Sequence, residues 1–160
     1  MDDDGRIQYP TVEEILSIHE RIIEEDADSE PGIENEQKVE FALDYVEHGH
    51  FGNVPETIHE KAFHLMRLLA ANHWFVDGNK RTALNTVVVF YAMNGRRLEY
   101  GEDVRSMLKL LSVRENLLAE TATTEYLRER TAPLQYGELF DVFENEDISN
   151  LEANQLDPNS

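Results

Sequence analysis

The residues from His73 to Ala83, His-Trp-Phe-Val-Asp-Gly-Asn-Lys-Arg-Thr-Ala, gather an imidazole, a carboxylate and two cations around one glycine. Gly78 and Asn79 fall where one helix is expected to stop and the next to begin. Backbone N–H groups at such a junction, with the helix dipole behind them, form an anion site. Lys80 and Arg81 add full positive charges at the same place. Asp77 is a hard oxygen ligand beside it, the arrangement expected when Mg²⁺ bridges a carboxylate and nucleotide phosphates. His73, four residues before Asp77, could take a proton from an incoming hydroxyl near neutral pH. On residue chemistry alone two readings stand side by side. One is a phosphate-handling site; the other is an ordinary capped turn, with Asp77 a turn residue, Asn79 a helix N-cap, Lys80 and Arg81 a solvated first turn and His73 a packed imidazole.

The polar stretch interrupts two apolar segments, Ile58 to Ala71 before it and Leu84 to Met93 after it, and such interruptions of core-like sequence often mark sites. The elements that must position it read as helices. Thr11 with Glu14 makes a capping box ahead of Val12, Ile15, Leu16, Ile18, Ile22 and Ile23, which recur at helical spacing. Ser29, Pro31 and Gly32 break the pattern, and a second helix starts near Asn35, lines one face with Val39, Ala42, Leu43 and Val46, and stops at Gly49. Glu47 to Pro55 holds two glycines and reads as a loop or small hairpin, a candidate flap. Thr57 with Glu60 is a second capping box, leading a third, mostly buried helix into the central stretch. Lys80 to Met93 is apolar on nearly all sides; its valines would suit a buried strand, but its length favours a helix, which Asn94 and Gly95 stop. Arg96 to Tyr100 reads as a short extended piece. Val104, Met107, Leu108 and Leu111 mark a further helix, Ser112 with Glu115 a third capping box, and Tyr126 and Leu127 a last helix ending near Arg130. Beyond Thr131, the prolines, Gly137 and the run Glu144, Glu146 and Asp147 change the character of the chain. The expected organisation is one domain over residues 1–130 and a poorly ordered acidic tail over 131–160. Leu139, Phe140, Val142 and Phe143 are apolar flecks within that tail.

Composition narrows the function classes. The chain has 160 residues, enough for one domain with a real core, and carries 33 acidic against 14 basic residues for a formal net charge of −19. That balance opposes direct binding to nucleic acid or to anionic membrane surfaces. Ten arginines, four lysines and a largely acidic surface suit solubility in concentrated salt, a halophilic adaptation; an acidic mesophilic protein is the other reading. Without cysteine there is no disulfide framework, thiolate nucleophile or cysteine zinc site. No apolar run approaches the roughly 20 residues of a membrane span or the roughly 7 to 15 of a signal-peptide core, so a cytoplasmic protein is expected. His59 and His64 lack the His-Glu-x-x-His pattern of a zinc helix, and there is no Walker-type phosphate loop or eukaryotic-type kinase signature.

The pattern His73-x-Phe75-x-Asp77-Gly78-Asn79-Lys80-Arg81-Thr82-Ala83-Leu84-Asn85 resembles the signature of the Fic/Doc family, and its Asn-Lys-Arg-Thr-Ala form is similar to the death-on-curing (Doc) branch. Val12 to His19 and Pro31-Gly32-Ile33 resemble the start of Doc-type toxins, so the likeness covers about Tyr9 to Tyr100. It implies a mainly α fold, a Fic-type helical bundle with a short hairpin or flap before two central helices that flank the active loop. Carried onto this chain, it implies that His73 activates a target hydroxyl, that Asp77 binds Mg²⁺, that Gly78, Asn79, Lys80 and Arg81 hold the phosphates of ATP or another nucleoside triphosphate, and that Asn85 supports them. Chemistry of this kind rests on positioning and on neutralising charge at the transferred group.

The departures from the family pattern carry information too. Trp74 stands where the family usually has proline. Lys80 replaces the second glycine of the AMP-transferring Fic enzymes, and Leu84 their second arginine. In Doc-type proteins the lysine form goes with a reversed nucleotide and transfer of the γ-phosphate to a translation elongation factor, which implies a kinase; nucleotidyl transfer by the same site, or a catalytically idle partner-binding member, are the alternatives. Self-inhibiting Fic proteins carry Ser/Thr-x-x-x-Glu-Gly/Asn. Here Glu34, Glu115 and Glu144 precede asparagine, but Glu30, Leu111 and Phe140 stand four residues earlier. The resemblance therefore implies restraint by a separate antitoxin protein.

Overall fold

The structure, a computed structural model, describes residues 5–71, 75, 78–114 and 120–135. The described residues form six helices, α1 (Val12–Glu25), α2 (Glu36–His48), α3 (Ile58–Ala71), α4 (Asn79–Met93), α5 (Asp103–Arg114) and α6 (Glu120–Glu129), with two short strands, β1 (Arg96–Leu98) and β2 (Thr131–Pro133). The mainly α expectation holds. Among the described residues no helix is long and apolar enough to cross a membrane.

Local signals place the first three helices. The Thr11 hydroxyl caps α1, accepting the Glu14 N–H at 3.1 Å and donating to the Glu14 carboxylate at 3.2 Å. Asn35 caps α2 through the Gln37 N–H, and Gly49, with φ 75°, ends it. Thr57 Oγ1 accepts the Glu60 N–H at the start of α3. The expected cap at Ser112 does not form. Ser112 lies inside α5, where its hydroxyl donates to the Lys109 carbonyl at 2.9 Å, because the apolar spacing carries the helix past it to Arg114.

The core sits around α3 and α4, which pack on each other; α2, α5 and α6 cover α3, and α1 covers α4. Both central helices are buried on most sides, so α4 stays helical despite Val87 and Val88 because tertiary burial outweighs β-branched preference. Asn94 ends α4 and ties the N-terminal segment to it. Its side chain donates to the carbonyls of Phe90 (2.7 Å) and Gln8 (2.9 Å) and accepts the Gln8 N–H (2.8 Å).

The stretch Glu47 to Pro55, expected as a loop or small hairpin, holds a two-residue turn closed by a His50–Asn53 bridge ahead of α3. At about 1.5 Å per residue, α3's 14 residues put that turn roughly 21 Å from the helix end that leads into the central loop. Among the described residues the α1–α2 connector also reaches the loop, through an antiparallel bridge between Ile33 and Phe75. The two-stranded sheet forms after the central helices: β1 pairs antiparallel with β2 in the register Arg96 to Pro133, and the Leu134 N–H donates to the Gly95 carbonyl. Residues 131–135, grouped with the tail by composition, are thus joined to the body. The tail from residue 136, with its apolar flecks, lies outside the described residues.

Candidate active site

Phe75 and the start of α4 form the described part of the central stretch, and three supports converge on them. The first is Asn79. Its side chain accepts the Phe75 N–H at 3.2 Å and donates to the Phe75 carbonyl at 3.0 Å, pinning the loop by both backbone groups of one residue. The second is His19, whose ring stacks on Phe75 with centroids 3.7 Å apart and planes 11° from parallel. Helical phase puts His19 there, since Ile15, His19 and Ile22 share the buried face of α1. The third is the Ile33 bridge, which fixes the loop against the α1–α2 connector.

Gly78 caps α4 with left-handed backbone (φ 81°, ψ 16°) and no side-chain cap. The first helical bond runs from the Thr82 N–H to the Gly78 carbonyl at 2.9 Å. A Cβ at Gly78 would stand 3.3 Å from Ile23 Cδ1 and 3.6 Å from His19 Nε2, so glycine serves both the positive φ and the close approach of α1. Glycine supplies no capping side chain here, and the dipole of α4 favours an anion at its start.

Arg81 faces away from solvent, with only 3% of its side chain exposed. Its guanidinium donates to Asp26 Oδ2 at 3.0 Å and to Ser29 Oγ at 2.7 Å. The Ser29 hydroxyl in turn donates to Asp26 Oδ2 at 2.8 Å, and the Asp28 N–H donates to Asp26 Oδ1. The Ser29 hydroxyl, the Asp28 N–H and the Arg81 guanidinium together hold the Asp26 carboxyl below the usual carboxylate value. Asn85, one turn on, is buried and donates to the Arg81 carbonyl at 3.2 Å. Lys80 is half-buried at the same helix start.

Gly78, Asn79, Lys80, Arg81 and Asn85 therefore share the first turns of one helix, whereas His73, Asp77 and Trp74 lie outside the described residues. His19, Asp26 and Ser29 are the neighbours that the sequence reading did not assign to the site. His19 had a usable signal, its place on the apolar face of α1. Asp26 and Ser29 had none, because their partner is 55 and 52 residues away in the chain.

With this geometry in place, comparison with known families gives a plain answer. The chain belongs to the Fic/DOC family, whose pattern it matches over residues 9–91. That range spans α1 to α4 and the loop between the central helices. No curated protein matches the chain. The match identifies a Fic-type catalytic domain as a whole; the death-on-curing subtype is a finer reading.

Proposed function

We propose that this chain transfers a phosphate-containing group from a nucleoside triphosphate to a hydroxyl on another protein. The observation that carries this reading is the start of α4: within a Fic-type domain, a glycine-capped helix N-terminus with Lys80 beside it, on a loop clamped by Asn79 and His19. In this reading His73 accepts the proton of the attacking hydroxyl and Asp77 contributes the carboxylate for Mg²⁺. Gly78, Asn79, Lys80 and Arg81 hold the phosphates through backbone N–H groups and positive charge, and Asn85 supports them. Asn79 and Asn85 do so by shaping the backbone, since their side chains already bind the loop and the Arg81 carbonyl. Arg81 contributes through its backbone N–H, since its buried guanidinium is paired with Asp26 and Ser29. A bound Mg²⁺–nucleotide would supply the group transferred.

Family membership supports the general reaction, and nucleotidyl (AMP) transfer is its first form. Transfer of the γ-phosphate is the second, favoured by Lys80 and by Leu84, which is 1% exposed in the core where AMP-transferring relatives would place an arginine. A Doc-like toxin that phosphorylates a translation elongation factor and is restrained by a separate antitoxin is the full form of that second reading.

Incubation with Mg²⁺, ribosomal extract and ATP labelled at the α or the γ position separates the two. A protein band carrying the α label supports nucleotidyl transfer, and one carrying only the γ label supports the kinase. His73→Ala lowers either signal by roughly 10²- to 10⁴-fold, the usual contribution of a positioned base. Absence of both labels, with His73→Ala indistinguishable from the parent, sinks group transfer and leaves a partner-binding protein.

A further inference from the structure

The turn between α2 and α3 holds a residue that its own backbone disfavours. His50 and Asn53 pair across it, N–H to carbonyl in both directions at 3.0 Å, and both residues between them have positive φ, 50° at Phe51 and 81° at Gly52. A two-residue hairpin turn of this type takes asparagine or aspartate before the glycine, because short polar side chains tolerate left-handed backbone. Here the position carries a phenylalanine that is 93% exposed. Strained backbone concentrates at functional sites such as ligand clamps, and exposed apolar patches at interaction surfaces. Phe51 is also part of a patch. Its ring meets His50 edge-on at 4.2 Å, His50 meets Phe41 at 5.9 Å, and Phe41 and Val54 are both about half exposed.

Beside the patch opens a cavity of about 540 Å³ lined by Tyr45, Val54, Glu56, Glu60, His64 and Glu120, among others. Two of its three carboxylates are held in place: Glu60 accepts the Glu56 N–H at 2.9 Å, and Glu120 lies 3.1 Å from His64 Nε2. Arg67 Nε donates to His64 Nδ1 at 2.8 Å. His64 therefore accepts on Nδ1 and carries its proton on Nε2, so the ring is neutral and donates to Glu120. The Arg67 guanidinium lies over the Tyr45 ring at 5.4 Å and does not line the cavity. The cavity is thus acidic, with one oxygen of Glu60 and one of Glu120 engaged and the other able to accept.

We propose that this turn and cavity form a docking surface for a segment of a partner protein that carries an arginine next to an apolar side chain. The apolar side chain covers Phe51 and Val54, and the guanidinium enters the cavity, where its planar fork pairs with the Glu60 and Glu120 carboxylates. Charge complementarity selects this occupant, since the cavity and the chain, at −19, both repel acidic segments. The surface lies at the opposite end of α3 from the catalytic loop and does not depend on the proposed reaction.

The test is an NMR titration of the isotope-labelled full chain with two synthetic pentapeptides, acetyl-Leu-Arg-Phe-Arg-Leu-amide and its glutamate-for-arginine counterpart. The arginine peptide is expected to shift resonances of residues 41–64 and Glu120, and the glutamate peptide to shift none. Phe51→Asn suits the turn better than the parent residue, so it folds at least as stably, and it weakens binding about ten-fold or more, as loss of a central aromatic contact does. Glu60→Gln with Glu120→Gln keeps the hydrogen-bonding shape and is expected to cut binding similarly. Equal binding of the two peptides, no shifts at millimolar peptide, shifts confined to other surfaces, or undiminished binding by either folded variant overturns the proposal. Shifts that grow with protein concentration alone and vanish in Phe51→Asn overturn it as well, by making a second copy the occupant.

Discussion

At the scale of single residues, the central stretch combines chemistry with the means of holding it still. Gly78 is constrained twice, by a positive φ and by Ile23 and His19 of α1 at van der Waals distance. Gly78→Ala is expected to cost about 1–2 kcal/mol from the left-handed backbone alone, read as a lower denaturant midpoint with an unchanged slope. Asp26 shows the opposite case, a residue far from the motif that the motif depends on. Asp26→Asn keeps one acceptor for Arg81 but removes the charge opposite a buried guanidinium, for a loss of about 1–2 kcal/mol, as for a hydrogen bond to a charged group that water partly reaches. Denaturant unfolding checks the loss, and Asp26→Glu, which restores the charge but not the reach, is expected to recover only part of it. Sequence chemistry singled out Asn79 and Arg81 as phosphate contacts. The structure adds that Asn79 clamps Phe75, four residues back, and that Arg81 is latched to the α1–α2 connector, a contact no local pattern could reveal.

Among the elements, α3 and α4 form the frame, and two buried imidazoles sit on α3. Burial lowers His64 below its usual value of 6.5, with the Arg67 guanidinium adding to the effect, and burial likewise lowers His59, helped by Arg96 and Arg128. His59 Nδ1 lies 2.9 Å from the hydroxyl of Tyr91, whose own ionisation burial pushes up. Because both imidazoles bind protons less readily folded than unfolded, their contribution to stability is complete above pH 6.5 and is lost as pH falls below it towards their folded values. The melting temperature is expected to fall between about pH 7.5 and about pH 5.5, and His64→Gln to remove part of that slope. Asp26 and Asp103, lowered from 3.8, act in a separate window: their contribution is present above that value and lost below it. A melting temperature flat through the histidine window would show that neither ring is held neutral by the fold. Helix starts were legible at Thr11, Asn35 and Thr57 because capping is local chemistry. Ser112 misled because a serine inside a helix can satisfy itself on the carbonyl three residues back.

For the whole molecule, the excess of acidic groups acts collectively. A net charge of −19 on a chain of 160 residues repels itself, and salt screens that repulsion. Raising KCl from about 0.1 M to about 1 M, over which the screening length falls from roughly 10 to 3 Å, is expected to raise the melting temperature. A chain adapted to concentrated salt continues to gain beyond that range, whereas an acidic mesophilic protein levels off.

Sequence by itself determined the helical class, the first three helix starts, the end of α4 and the family signature from His73 to Asn85, since capping, period and motif are properties of neighbouring residues. Tertiary structure alone decided which connector reaches the loop, that Asp26 and Ser29 hold Arg81, and that residues 131–135 pair with β1. Each of these is a contact between segments distant in the chain. Its energy comes from burial and hydrogen bonds that exist only once α1, α3 and α4 have packed.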